Sequence, residues 1–458
     1  MSDLTKADIF CRWAAGLAVA DLPGQVVRQA GRSTLDVIGL AISARHEDYI
    51  VALAAGGMSA GTGTAFGHPG GFAPQDAALL NGVGGHGEDY DDTFEGTPVH
   101  TGVVVVPSVL AACEARGLDT GRARIGIAVA GELMCRMAIV APTAVHRAGF
   151  HPTGVIGAVA AAAGVGAAIG LDAERLARAM GIAASMASGI IEYLADGSST
   201  KRLHAGWAAH CGYRAALFAE QGFTGPKSVI EGTHGFYLGF ADPKIERDFD
   251  RIDAGLGDEW LYAGIAFKPY ACGTMTQPFV DCAIGLRDKG ITPEMIESIL
   301  CKCGEGTVHR LWEPLASKQT PATPYAAKFS TPYCVAAGLV DGAAGLAQFT
   351  DERIADPVML GIAGRTSYEI DPDDPYPANY RGHVRASLKD GRVVELSLPH
   401  MRGGAREPLS DDELRRKFVA NVCFGGYAAD EAETLADRAA GLLAGSGRID
   451  LAPFAQKP

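Results

Sequence analysis

The chain has 458 residues, 48% of them hydrophobic and 20% charged, a balance that supports a packed core and excludes a disordered chain. Forty Lys+Arg against fifty-three Asp+Glu give a formal net charge of −13, which excludes the basic surface that nucleic-acid binding needs. Gly accounts for 59 residues and aromatics for only 7%, so the interior is expected to use small side chains and closely spaced backbones.

Residues 1–10 carry acids and no apolar stretch of signal length, so no leader is expected. Apolar residues at helical spacing predict helices over 7–17 and 26–44, and a third over 75–83 ending at Gly84-Gly85. More helices are predicted over 103–114, 125–137, 154–169, 173–188 and 201–220. Leu171-Asp172-Ala173-Glu174 is a helix start with acids in its first turn. The longest apolar run, 155–170, is mostly Ala and Gly and falls short of the ~20 residues that span a bilayer. It reads as a buried helix, and a cytoplasmic protein with no membrane partner is expected. Gly164-x-Gly166-x-x-x-Gly170 follows no strand, so it reads as close helix packing rather than a dinucleotide fingerprint.

No strong strand pattern appears before residue 260. Beyond it, alternation predicts strands over 299–303, 383–388 and 392–398, the last two flanking Asp390-Gly391 as a hairpin. Helical spacing over 275–289 and 330–340 makes this stretch α+β. Ser410-Asp411-Asp412-Glu413 is a capping box, and 428–443 is a closing amphipathic helix. The expected fold is mainly α. A large all-helical domain spans about 1–264 and is rejoined by about 405–458, with a smaller α+β domain, about 265–404, inserted between them.

The ten cysteines are scattered and contain no CxxC, so no disulfide framework, zinc ribbon or thioredoxin-type pair is written here. Cys301-x-Cys303 reads as two residues on one strand face. No Gly-x-Ser-x-Gly elbow, Walker loop or His-Glu-x-x-His occurs, so hydrolase, kinase and zincin readings have no foothold.

Five polar segments remain. The densest runs from His86 to His100 and packs two histidines and five acids between apolar helices. Carboxylates beside imidazoles shift each other's pKa values, which suits proton transfer near neutral pH. His86, Asp89, Asp91 and His100 are also legitimate metal-ligand types, but no clean ligand spacing is present. The second segment is Gly149-Phe150-His151-Pro152-Thr153-Gly154, a histidine at a helix N-terminus that favours an anion. The third, 196–206, leads through Lys201, Arg202 and His204 into a helix. The fourth is Phe267-Lys268-Pro269-Tyr270, at the domain boundary. The fifth, Ala327-Lys328-Phe329-Ser330-Thr331-Pro332-Tyr333, opens a helix of the smaller domain. This set of His, Asp, Lys and Tyr fits proton abstraction beside a carboxylate, with lysine and helix N-termini stabilising the added charge.

In this order the segments resemble the MmgE/PrpD family, over nearly the whole chain. The specific pieces are Glu88-Asp89-Tyr90-Asp91-Asp92-Thr93 with His100, Gly149-Phe150-His151-Pro152, Thr200-Lys201-x-Leu203-His204-x-Gly206 and Ala327-Lys328-Phe329-Ser330. The family contains 2-methylcitrate dehydratases, cis-aconitate decarboxylases and iminodisuccinate epimerases. The resemblance implies a helical domain with an α+β lid, a homodimer, and neither metal nor organic cofactor. By position it implies that His100 is the leading general acid/base, with Asp89 orienting it or sharing its proton. Lys201, Lys268 and His151 would hold carboxylates, Thr93 and His204 would line the substrate site, and Tyr333 would reach in from the lid. One departure stands out: decarboxylase-like relatives carry a His shortly after the lysine matching Lys268, and Cys272-Gly273-Thr274-Met275-Thr276 offers none. The Thr93–His100 spacing is also about one residue longer than in those relatives. Both features argue against cis-aconitate decarboxylation. The expected activity is 2-methylcitrate dehydratase-like elimination on a small di- or tricarboxylate. Alternatives are an epimerase or decarboxylase using the same carbanion, or a non-catalytic carboxylate binder.

Overall fold

The computed structural model describes residues 4–95, 97, 99–376 and 378–456. Gly96 and Pro98 of the first polar segment lie outside them. The chain is mainly α and divides into two compact units. One comprises Met1–Gly87, Asp91–Ile265 and Asp411–Pro458; the other comprises Glu88–Tyr90 and Ala266–Ser410.

The first unit is built around helix Pro152–Ile169, of which only Ile169 is not buried. This is the one described helix long and apolar enough to cross a membrane, and it is spent on the core instead. Pro152 sets the first turn, where a missing N–H costs nothing, and Gly170 ends the helix in a left-handed conformation. It packs against helices Thr120–Val140 and Thr200–Glu220. Small residues make those crossings close. A methyl group on Gly164 would meet Ala130 Cβ at 2.5 Å and the Gly126 carbonyl at 2.6 Å. The glycine spacing in 164–170 is therefore a packing feature, as its lack of a preceding strand implied.

Helix Pro74–Gly87 lies against Thr200–Glu220 in the same way. A Cβ on Gly206 would sit 2.2 Å from the Leu79 carbonyl, and one on Gly82 would sit 2.6 Å from Gly206 Cα. The helix predicted to end at Gly84-Gly85 continues to Gly87. The two glycines are weak helix formers, but they let this helix approach its neighbours: Gly84 lies against the Ala41 backbone and Gly85 against Val103. Tertiary contact outweighs propensity there and places His86 on the last helical turn. Helix Gly24–Ser43 packs along the same helix and against helix Asp411–Phe424. Two further elements, helix Asp48–Ala55 and a short exposed strand β1 (Ala60–Gly63), precede residue 260 and carry no strong pattern of their own.

The second unit contains a four-stranded sheet in the order β3 (Thr366–Ile370), β2 (Ile296–Cys303), β4 (Gly382–Leu388) and β5 (Val393–Leu398). β2 pairs with β3 in parallel and with β4 antiparallel; β4 and β5 form the hairpin. Gly391, at φ 86°, makes the turn that Asp390-Gly391 announces. Ile296, Ile299, Cys301 and Cys303 are all buried, so the two cysteines are strand-core residues on one face. Helix Gln277–Asp288 packs on β4 and β5 and against helix Thr331–Asp341. β3 was not predicted: its five residues are half polar, and their extended form is imposed by pairing with β2.

Candidate active site

Four histidines and a carboxylate converge in the first unit. His86 ends helix Pro74–Gly87, is fully buried, and has Nδ1 2.8 Å from Asp91 Oδ2. The same carboxylate oxygen lies 3.4 Å from His100 Nδ1. His100 is brought back to residues 91–93 by a tight reversal in which Phe94 N–H donates to the Val99 carbonyl at 3.0 Å. Its Nδ1 lies 2.7 Å from the Asp92 main-chain carbonyl. A carbonyl only accepts, so His100 Nδ1 carries a proton and the neutral ring presents its lone pair at Nε2. The His100 amide donates to Thr153 Oγ1 at 3.1 Å, on the first turn of the central helix.

Asp92 holds the start of helix Gly102–Arg116. Both of its carboxylate oxygens accept from the Gly102 amide, at 3.0 and 2.9 Å. Burial, then the Asp91 and Asp36 charges, push its carboxyl well above the usual carboxylate range, against the pull of that amide.

His151 caps the helix Pro152–Ile169 from outside, its own amide donating to the Gly189 carbonyl at 2.8 Å. Its ring stacks on His86 at 5.5 Å and 23°, and its Nδ1 is 3.2 Å from His204 Nδ1. Burial, then the neighbouring His86 and Lys201 charges, hold both imidazoles below their ordinary range, His204 at about 4. The pair is therefore neutral at pH 7, and one Nδ1 donates while the other accepts. Tyr193 closes over both rings, 6.1 Å from His151 and 5.8 Å from His204. Lys201 sits in the first turn of helix Thr200–Glu220 and is only partly buried. Thr93 is buried beside this cluster's chain reversal.

The other predicted residues lie in the second unit. Asp89 adopts a left-handed φ of 55°. Its carbonyl accepts from Lys268 Nζ at 2.8 Å, and its carboxylate lies 3.4 Å from the same ammonium. Lys328 binds Glu88 likewise, through its carbonyl at 2.9 Å and through its carboxylate. Both lysines are buried, and Tyr90 donates to the Pro269 carbonyl at 2.9 Å. The Tyr333 hydroxyl donates to the Gln348 carbonyl at 2.8 Å, beside the Phe349 ring. The structure thus gathers His86, Asp91, His100, His151 and His204 in one cluster, and puts Asp89 with Lys268. The carboxylate at His100 Nδ1 is that of Asp91. His86 and Asp91 stand in the sequence only as metal-ligand types, and Lys328 as part of a helix start; none is assigned to proton transfer there. The available signal was His86-x-x-x-x-Asp91 across a helix end, which becomes meaningful only once the helix is known to reach Gly87.

The ligand-type atoms of His86, Asp91 and His100 lie within 4.8 Å of one another. Donors sharing one tetrahedral ion at roughly 2.0–2.1 Å sit about 3.3 Å apart. The 2.8 Å His86–Asp91 contact is closer than that and is a hydrogen bond. As arranged, the three form an acid–base network.

Four buried imidazoles around a carboxylate, with Lys201 nearby, are chemically suited to acid–base catalysis. Comparison with known proteins makes this specific. Residues 8–248 match the MmgE/PrpD N-terminal domain and residues 270–440 the MmgE/PrpD C-terminal domain. The chain belongs to the MmgE/PrpD family. It is 28% identical over 430 residues to cis-aconitate decarboxylase of Mus musculus, covering 89% of this chain and 84% of that protein. It is 28% identical over 430 residues to the Homo sapiens cis-aconitate decarboxylase (89% and 85% covered) and 27% identical over 454 residues to that of Aspergillus terreus (89% and 87%). Those relatives are lyases, and this chain is an enzyme of that type.

Proposed function

We propose that the enzyme eliminates water from a small β-hydroxy di- or tricarboxylate, in the manner of a 2-methylcitrate dehydratase. The observation that carries this reading is the His100 tautomer: the Asp92 carbonyl holds the proton on Nδ1 and leaves Nε2 as the base. Nε2 removes the proton alpha to a substrate carboxylate, and the C–H electron pair passes into that carboxylate as an enediolate. Asp91, 3.4 Å from Nδ1, offsets the imidazolium that forms. Return of the pair makes the C=C bond and breaks the C–O bond at the β carbon. The hydroxyl leaves as water with the proton that His100 Nε2 has just taken up, so the base is regenerated, and the neutral His151–His204 pair donates only a hydrogen bond to it. Lys201 and the N-terminus of helix Thr200–Glu220 hold the substrate carboxylate whose charge grows.

Decarboxylation is the second reading, favoured by the names of the relatives. It would use the same ammonium and imidazoles, but carbon dioxide would leave in place of the proton. The absence of a histidine in 272–276 weighs against it. Incubating 2-methylcitrate, citrate, cis-aconitate and iminodisuccinate with the enzyme in D₂O separates the readings. Elimination gives an ultraviolet-absorbing enoate, decarboxylation gives carbon dioxide, and epimerisation gives deuterium exchange with no absorbing product. Exchange alone would sink the dehydratase reading.

A further inference from the structure

Asp36 lies on helix Gly24–Ser43 and Lys417 on helix Asp411–Phe424, with Lys417 Nζ 2.7 Å from Asp36 Oδ1 and both side chains buried. Neither falls in the five polar segments. Asp36 Oδ2 is buried and has no hydrogen-bond partner among the described residues. The next residue, Val37, backs both ends of the acid–base network: a methyl on Gly85 would meet it at 3.5 Å and one on Gly102 at 3.2 Å. Gly85 adjoins His86, and Gly102 is the residue Asp92 holds. Asp36, Asp91 and Asp92 are all buried and act on one another electrostatically.

We infer that the buried Asp36–Lys417 pair is a positioning pair that sets how readily the His86–Asp91–His100 network takes up a proton. This rests on the proton-transfer reading of that network. Buried charges act on one another with little screening. Asp36 is coupled to Asp91, Lys417 and Arg32, and Asp92 to Asp91, Asp36 and Lys417; Cys135 and Tyr262 feel Asp92 in turn, and the buried Glu132 and Arg136 beside Cys135 on helix Thr120–Val140 pair with each other at 2.6 Å. Lys201, His151 and His204 surround His86. Arg32 already pairs with Asp411 at 2.5 Å. Burial pushes the Cys135 thiol and Tyr262 phenol up, so both stay neutral. Lys417 is thus the ammonium that offsets the carboxylates on this side. Burial raises the Asp36 and Asp92 carboxyls; against it Lys417 pulls both down, while Asp36 pushes Asp92 further up. Removing the ammonium leaves excess negative charge and favours imidazolium. Neutralising Asp36 leaves excess positive charge and disfavours it.

Histidine-ring NMR titration of the full chain tests this without any substrate, in Lys417→Met, Asp36→Asn and the double variant. The His86 and His100 midpoints are expected to rise by about half a pH unit or more in Lys417→Met, roughly threefold in proton affinity. They fall by a similar amount in Asp36→Asn and return to within ~0.2 unit in the double variant. The acid limb of kcat/KM moves with them, which loss of packing alone would not produce. Midpoints that stay put, or move the same way in both single variants, overturn the proposal. If Lys417→Met does not fold, the isosteric Asp36→Asn carries the test: midpoints that do not fall overturn it. Shifted midpoints in a protein without dehydratase turnover would sink the elimination reading and leave the pair's role standing.

Discussion

His100 and Asp92 meet through a side chain and a main chain: the imidazole Nδ1 lies 2.7 Å from the Asp92 carbonyl oxygen, while the Asp92 carboxylate turns away to hold the Gly102 amide. One residue thus fixes the tautomer of the base with its backbone and anchors the following helix with its side chain. The consequence for catalysis is direct. Replacing His100 by Ala is expected to lower kcat by about 10²–10⁴-fold, the usual worth of a positioned general base. Enoate formation followed by absorbance, with circular dichroism as a check on the fold, measures it. A loss under tenfold would move the base to another imidazole.

The His151–His204 pair gives the enzyme an acid sensitivity. Both rings have folded-state pKa values below the ordinary 6.5, His204 at about 4. The unfolded chain therefore binds more protons between those values, so stability falls as pH drops from about 6.5 towards 4 and is unaffected by these groups above about 7. Urea unfolding at a series of pH values reads this slope. Replacing His204 by Asn should flatten it by up to about 1.4 kcal/mol per pH unit, the limit for one proton.

The helix carrying His86 and the helix carrying Lys201 and His204 are in contact at Gly82 and Gly206, where any side chain collides with backbone. Gly206→Ala would set its methyl 2.2 Å from the Leu79 carbonyl. A destabilisation of about 1–3 kcal/mol is expected, with activity lost as the histidines separate. Gly239→Ala has nothing within 4 Å to meet and should stay within ~0.5 kcal/mol of the parent. Equal effects of the two changes would refute the packing argument.

In the second unit, Lys328 faces the Glu88 carbonyl and carboxylate from a buried position. Lys328→Met keeps the aliphatic stem and removes the ammonium. Removing one partner of a buried ion pair typically costs about 3–5 kcal/mol, because the other charge stays desolvated. Denaturant titration of the variant measures it, and Glu88→Gln in the same background should recover part of the loss. A double variant no better than Lys328→Met would show that the carboxylate charge is not the cause.

Much of this protein was legible before any coordinates. The long helices follow from apolar residues recurring at helical spacing, which any buried face requires, and the β4–β5 hairpin follows from alternation around Asp390-Gly391. The family followed from short polar motifs in a fixed order. What escaped had no local signal. β3 is extended because β2 pairs with it, and the helix bearing His86 runs past two glycines because its neighbours accept them closely.

The sequence by itself determined which chemistry is available: imidazoles, carboxylates and lysines set in apolar surroundings. Only the tertiary structure decided which groups act on which. The Phe94–Val99 reversal carries His100 back to Asp91 and Asp92, and the close Gly82–Gly206 crossing joins the helix of His86 to that of Lys201 and His204. Proton affinity and tautomer depend on distances of about 3 Å between side chains far apart in the chain, and the packing of backbones sets those distances.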